Sequence, residues 1–151
     1  MSYSSNIKNE ISNIEYSKSE TMAELSAILN IASVIETDSF YICVENISVA
    51  RRIYKLIKDI YHVEIDMDTT LINTLRKNKL VKLTIKEKSK IILEDLSILD
   101  NDIRLYEPKS YLVDELCDKQ AYLRGIFLIC GSINDPKTSR YHLELVIENE
   151  L

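Results

Sequence analysis

Leu123-Arg124-Gly125-Ile126-Phe127-Leu128-Ile129-Cys130-Gly131-Ser132 holds both glycines of the chain. Apolar residues run too densely there for a surface helix. Gly125 falls in mid-helix, where glycine costs about 1 kcal/mol relative to alanine. A chain this poor in glycine does not need one there for flexibility, so the expected reason is a neighbouring backbone that must come close. Gly131 follows the last helical residue and is expected to end the helix in the left-handed conformation.

The partner reads as the same stretch written earlier in the chain. Ala23-Glu24-Leu25-Ser26-Ala27-Ile28-Leu29 aligns with Ala121-Tyr122-Leu123-Arg124-Gly125-Ile126-Phe127. Small residues recur four apart in both copies, as Ala23/Ala27 and Ala121/Gly125, and these four are the expected helix–helix interface. Ile31-Ala32-Ser33-Val34-Ile35 then matches Ile129-Cys130-Gly131-Ser132-Ile133, and a strand-like segment closes each copy at Glu45-Asn46 and Glu148-Asn149. The conserved order of helix, short turn, strand and Glu-Asn favours an internal repeat over two unrelated core helices of similar composition.

A chain of 151 residues, 46% hydrophobic and 28% charged, suits one structural unit with a real core. No apolar run reaches membrane-span length, and the polar start Met1-Ser2-Tyr3-Ser4-Ser5 does not read as a signal peptide. Cys43, Cys117 and Cys130 are an odd count without metal-like spacing, expected as small buried hydrophobes in a reducing cytoplasm. A net charge of -5 argues against broad nucleic-acid binding by this segment.

In chain order, Ser4-Ser5 is expected to cap a short helix with Ile7, Ile11 and Ile14 on one face. Glu15 to Ser19 is a polar link. Thr21-x-x-Glu24 has the form of a capping box opening the first repeat helix, which runs to about Ala32. Val34-Ile35-Glu36 and Phe40 to Glu45 form a hairpin, with Phe40, Ile42 and Val44 on one face. A helix capped by Asn46 or Ser48 runs to about Tyr61, burying Ala50, Ile53, Ile57 and Ile60 and wetting Arg51, Arg52, Lys55 and Lys58. Residues 62–68 and 80–86 alternate as a second hairpin, with Val63, Ile65, Met67, Val81, Leu83 and Ile85 inward and acids facing lysines outside. A helix over 87–96 buries Ile91, Ile92 and Leu96. Residues 100–108 are a loop, 111–117 a short helix, Asp135-Pro136-Lys137 a turn, and 141–148 the last strand.

The first copy thus reads as helix, two strands, helix, two strands, helix over residues 1–110. The second, over 111–151, has a helix and two strands and reads as cut in mid-repeat. Its last strand, with Tyr141, Leu143, Leu145 and Ile147 in line, is expected to have less cover than Phe40, Ile42 and Val44, which favours self-association.

Two helices of the pattern L-A-G-L-I-D-A-D-G, each opening a helix–strand–strand–helix–strand–strand–helix half, define the LAGLIDADG homing-endonuclease architecture, which Leu25 to Ser33 and Leu123 to Gly131 resemble. The wider sequence resembles the WhiA family more specifically. The residues concerned are Ser4-Ser5 with Ile7-Lys8, Ala23-Glu24-Leu25, Val49-Ala50-Arg51-Arg52-Ile53-Tyr54, Leu123 to Phe127 through Gly131-Ser132, Asp135-Pro136 and Tyr141-His142-Leu143-Glu144. The resemblance covers essentially this whole chain and about the first half of the family's protein. It implies an α+β fold of LAGLIDADG type: one αββαββα half plus an incomplete second half, an antiparallel sheet with helices on one face. It implies a cytoplasmic, nucleoid-associated regulator of sporulation, cell division and chromosome segregation. It also implies DNA binding mainly through a C-terminal helix-turn-helix, to which no stretch here corresponds.

In the homing endonucleases an acid at the eighth motif position of each helix binds the catalytic metal ions. Hard divalent ions want carboxylate oxygen, and two metals stabilise the attacking and leaving oxygens of a phosphodiester. The matching positions here are Ala32 and Cys130. Alanine offers no ligand and a lone thiol is a poor one for magnesium, so no metal, cofactor or small-molecule substrate is expected and the chain reads as non-enzymatic. His62 and His142 are isolated and read as strand histidines. Arg76, Lys77, Lys79 and Lys82 are the candidate nucleic-acid contacts, read against the plainer alternative of a solvated hairpin tip paired with Glu64, Asp66 and Asp68. Three functions follow: scaffold part of a DNA-binding regulator, active metal-dependent nuclease, or stand-alone assembly module. The missing helix-end acids favour the first over the second.

Overall fold

The computed structural model describes residues 2–73, 78–138 and 140–147. Helix α1 (Tyr3–Ile11) is capped by Ser2, whose Oγ accepts from the Ser5 N–H at 3.1 Å. Ser4 is not the cap. Its hydroxyl instead donates to the Ile133 carbonyl at 3.0 Å and accepts from the Ile133 N–H at 2.8 Å, tying the chain start to the second repeat.

Helix α2 (Lys18–Ala32) starts one turn earlier than the Thr21-x-x-Glu24 pattern indicates. Its cap is Ser17, which accepts from the Glu20 N–H at 3.4 Å. Thr21 and Glu24 lie inside the helix and are buried. From Ala23 to Leu29 every side chain is buried, which makes α2 a central helix covered all round.

Strands β1 (Ser33–Ile35) and β2 (Phe40–Val44) form the first hairpin. Helix α3 (Ile47–Tyr61) follows, with Asn46 Oδ1 accepting from Ser48 N–H at 2.8 Å and Val49 N–H at 3.1 Å. It ends at His62, which adopts a left-handed conformation (φ 55°) as the cap residue rather than lying in a strand. Residues 62–65 therefore precede the strand, although Val63 and Ile65 are buried; Met67, expected inward, is exposed.

Strands β3 (Asp66–Asn73) and β4 (Asn78–Ile85) complete an antiparallel sheet of order β1-β2-β4-β3. Phe40 pairs Ile85, Ile42 pairs Leu83 and Val44 pairs Val81. These six side chains form the inner face, buried against Leu25, Ile28 and Leu29 of α2 and Ile53 and Ile57 of α3. Each such large side chain contributes about 1.5–3 kcal/mol by leaving water. The helices lie on this one face of the sheet, as an α+β fold of this class requires.

Helix α4 (Ser89–Asp95) buries Ser89, Ile92 and Leu93, with Leu96 at its end, on one face of three- and four-residue spacing, and Ile91 falls off that face and is exposed. The expected loop after it contains a small hairpin, β5 (Leu99–Asp100) with β6 (Ile103–Arg104). A single 3-10 turn, Ser110–Leu112, stands where a short helix was expected. Helix α5 (Leu116–Cys130) begins with a reciprocal cap between Glu115 and Asp118. Strand β7 (Gly131–Ile133) pairs antiparallel with β8 (Leu143–Leu145), which is shorter than the expected last strand. Thr138 N–H donates to Asp135 O at 3.2 Å, closing the turn at Pro136.

The two repeats match in architecture. Helix α2 ends at Ala32 and β1 begins at Ser33; α5 ends at Cys130 and β7 begins at Gly131. Gly131 is extended (φ -89°), not left-handed. Its requirement is space: a Cβ there would collide with the Phe127 ring and lie 2.7 Å from the Phe127 carbonyl oxygen. The cysteines also differ from expectation, Cys43 and Cys117 being exposed and Cys130 half-buried.

Candidate functional site

Helices α2 and α5 pack along their length through small side chains. Ala23, Ala27 and Ala121 are fully buried, and Gly125 is buried with them. A Cβ on Gly125 would stand 2.5 Å from the Glu24 carbonyl oxygen and 2.9 Å from the Ala27 Cβ. The glycine thus sits where one helix backbone touches the other.

A charged cluster lies beside this contact. Glu24 of α2 is fully buried, and its carboxylate receives Arg52 of α3 as a fork, Nε to Oε2 at 2.7 Å and Nη2 to Oε1 at 3.1 Å. Arg124 of α5 donates Nε to the same Oε1 at 2.5 Å. Arg52 Nη1 also donates to the Ile14 carbonyl at 2.7 Å and the Ser12 carbonyl at 3.3 Å, fixing the link between α1 and α2. Tyr16 from that link lies under the Arg124 guanidinium, 3.5 Å from plane centre to carbon. Arg52 was expected on the wet face of α3, yet it is 6% exposed. It falls three residues after Val49 and four before Leu56, on the edge of the apolar stripe, and that spacing is the signal that places it inside. A charge inside α2 likewise demanded a partner. At the outer end of the same interface, Ser19 Oγ donates to the buried Asp118 Oδ1 at 2.9 Å.

The helix ends carry the positions where the architecture's acids belong. Ala32 is half-buried and supplies no polar side chain. Arg104, from β6, donates to the Asn30 carbonyl at 2.6 Å and to Ser33 Oγ at 3.4 Å, placing a guanidinium on the last turn of α2. A cation there complements the negative end of the helix dipole. Cys130 Sγ donates to the Ile126 carbonyl at 3.1 Å, and burial pushes its thiol pKa up while the nearby Lys8 ammonium pulls the other way. Burial holds Lys8 below the ordinary lysine range. Among the described residues no group of three or more His, Cys, Asp or Glu side chains is placed to hold a metal ion.

Of the candidate nucleic-acid contacts, Arg76 and Lys77 lie outside the described residues. Lys79 is exposed at the start of β4. Lys82 is half-buried, with its ammonium 4.2 Å from the centre of the Tyr41 ring and its backbone opposite Asp68. Lys86 reaches Asp66 at 3.8 Å across exposed surface. Asp66 and Asp68 of β3 thus lie among Lys82 and Lys86. His142 is 3.6 Å from Glu144. Two open clefts are present, one of about 700 Å³ between the α1–α2 link and α3, the other of about 780 Å³ beside Lys8, Glu45 and Lys79. Among the described residues no helix is long and apolar enough to cross a membrane.

Two repeat helices packed through small side chains, each running straight into an antiparallel hairpin, define a LAGLIDADG-like domain. Residues 18–99 match the WhiA N-terminal LAGLIDADG-like domain and residues 119–151 the WhiA LAGLIDADG-like domain, and the chain belongs to the WhiA family. It is similar to a "Probable cell division protein WhiA" of Pediococcus pentosaceus, 38% identical, over 96% of this chain and 48% of the relative. Another relative of that name, from Staphylococcus aureus, is 39% identical over 99% of this chain and 49% of its own length. The chain spans about half the length of the curated relatives it matches. In fold it is similar to the crystal structure of full-length DUF199/WhiA from Thermatoga maritima, with a TM-score of 0.71 at 20% identity over 99% of this chain and 46% of that one. The crystal structure of the N-terminal LAGLIDADG domain of DUF199/WhiA matches with a TM-score of 0.70 at 19% identity, covering 97% of this chain and 66% of that chain.

Proposed function

We propose that this chain is the scaffold and interaction part of a WhiA-type regulator, acting in cell division, and with it in sporulation and chromosome segregation, without nuclease chemistry of its own. The observation that carries this reading is the chemistry of the two helix ends. Ala32 and Cys130 stand where hard divalent ions would need carboxylates, and the Arg104 guanidinium rests on the last turn of α2. A fixed cation beside an alanine repels a divalent ion rather than holding it. The repeat helices keep their other role, which is to lock two halves into one rigid platform. Recognition of DNA then belongs mainly to the helix-turn-helix that the family resemblance implies, in the cytoplasm at the nucleoid, with this domain presenting surface to partners.

The test is incubation of the purified chain with supercoiled plasmid in magnesium or manganese. The expected result is intact plasmid. Metal-dependent cleavage that survives repurification, and is lost when Glu36 or Asp135 is changed to alanine, would overturn the reading.

A further inference from the structure

The open cleft beside α3 is a groove rather than a compact pocket. It is lined at every turn of that helix, from Ser48 through Arg51, Lys55 and Asp59 to His62 just past its end. At 1.5 Å of rise per residue the opening is about 20 Å long, the reach of about six residues of extended chain. The opposite wall is the α1–α2 link, and it is fixed in place. Arg52, held by the buried Glu24, donates to the Ser12 and Ile14 carbonyls, and Tyr16 is stacked on Arg124. A groove with a preformed wall binds a segment without first having to order itself.

The lining has a definite chemistry. Ile14 on the link is 45% exposed, and Leu56 and Ile60 of α3 are half-buried, so apolar surface is open to a ligand. Lys18, Arg51 and Lys55 bring three exposed cations to the same groove. Among the described residues Lys18 and Arg51 form no ion pair. Arg52 adds no free charge, because Glu24 neutralises it. Of the two lining acids, Asp59 sits toward the far end of α3, and Glu15 reaches from the link to Lys55 at 3.3 Å. One of the chain's own exposed carboxylates thus already lies where an incoming acid would. In a chain of net charge -5, unpaired cations along a partly apolar groove select acidic partners.

We propose that this groove docks an extended acidic segment of a partner protein, its carboxylates on Lys18, Arg51 and Lys55 and its apolar side chains on Ile14, Leu56 and Ile60. Arg51 and Lys55 stand one turn apart along α3, and Lys18 comes from the start of α2. The cations are therefore strung along the groove rather than gathered round one point, which suits successive side chains of a peptide better than a single phosphate. Glu15 and Asp59 repel the evenly spaced phosphates of a nucleic acid, whereas a peptide sets neutral residues beside them. Glu15 is then a built-in competitor, which a partner carboxylate displaces from Lys55. Docking here gives the interaction role proposed above its surface, and rests on that role.

The experiment selects binders of the immobilised 151-residue chain from a displayed library of random dodecapeptides, then measures synthetic copies of the winners by fluorescence anisotropy. The expected winners carry Asp and Glu interspersed with apolar residues. Their affinity should fall about tenfold or more in the double variant Arg51→Glu/Lys55→Glu, at unchanged circular dichroism. It should stay within about twofold in Lys119→Glu, which reverses an exposed charge on α5. Glu15→Ala should tighten binding by about two- to fivefold, because Lys55 is then free. Winners without acidic bias, winners indifferent to the double reversal, or weaker binding in Glu15→Ala would overturn the proposal. So would a library that yields no winner while a duplex DNA binds the wild type and is lost in the double variant; that outcome would assign the groove to a phosphate backbone. Plasmid cleavage by the chain would instead count against the non-enzymatic role and leave the peptide measurements as they stand, so the two failures are told apart.

Discussion

Glu24 and Arg124 are joined at 2.5 Å across the boundary between the two repeats, and Glu24, which also receives Arg52, is fully buried. The pair answers to no symmetry of the repeat, because Tyr122 occupies the position matching Glu24 and Ser26 the one matching Arg124. Ser26 instead donates to the Leu96 carbonyl at 2.6 Å. Removing the carboxylate leaves the buried Arg52 guanidinium and the half-buried Arg124 guanidinium without a counter-charge. Glu24→Gln should therefore cost about 3–5 kcal/mol. Chemical denaturation of wild type, Glu24→Gln, Arg124→Met and the double variant would measure it. The double variant should recover part of the loss, and a strictly additive cycle would show the ion pair to be uncoupled.

The glycine contact predicts a separate effect. Gly125→Ala places a Cβ against the Glu24 carbonyl, which is backbone and cannot swing aside. The gain in helix propensity, about 1 kcal/mol, is then outweighed by separation of α2 from α5. Gly125→Leu should be worse, destabilising by about 1–3 kcal/mol or more, read as a lowered urea midpoint. An alanine variant more stable than wild type would show that the helices can part without loss.

Much of this fold is legible in the chain because its cause is local and periodic. Alternation set Phe40, Ile42 and Val44 apart from Tyr41, Cys43 and Glu45, and the small residues spaced four apart marked the helices that must approach closely. What escaped was decided by tertiary partners. Thr21-x-x-Glu24 satisfies the capping pattern, but Ser17 is the cap and Glu24 is drawn inside by two arginines. Arg52 looks solvated on a helical wheel unless its partner from another element is known. Gly131 fits a helix stop equally as a left-handed residue or as a strand start, and only the Phe127 ring beside it decides. Ala32 and Cys130 were legible as positions, whereas the Arg104 guanidinium arriving from a later hairpin was not.

Tyr61 gives a pH dependence with a defined sign. Its hydroxyl donates to Asp95 Oδ2 at 2.5 Å, and burial, with the hydrogen bond to that carboxylate, raises its pKa above the ordinary tyrosine value. The unfolded chain ionises this phenol near pH 10 while the folded chain keeps it neutral. The stabilisation is fully present below about pH 10 and is lost as pH rises above it. Tyr61→Phe should lower stability at neutral pH and flatten the alkaline decline. Denaturation midpoints of the two proteins from neutral to strongly alkaline pH would converge; parallel curves would place the alkaline loss elsewhere.

Binding of DNA by this segment alone should be weak and indifferent to sequence. The outer sheet face sets Asp66 and Asp68 among the lysines, and Lys82 is already engaged with the Tyr41 ring. Phosphate contact releases counterions in proportion to the cations used, so affinity falls with salt along a slope set by their number. Replacing Arg76, Lys77, Lys79 and Lys82 together by alanine should weaken whatever binding exists and shallow that slope by up to about four contacts' worth, without altering sequence preference. Fluorescence anisotropy with two unrelated duplexes, titrated with salt for both proteins, separates these effects. Tight binding that discriminates between the duplexes at physiological salt would mean that the domain reads bases directly.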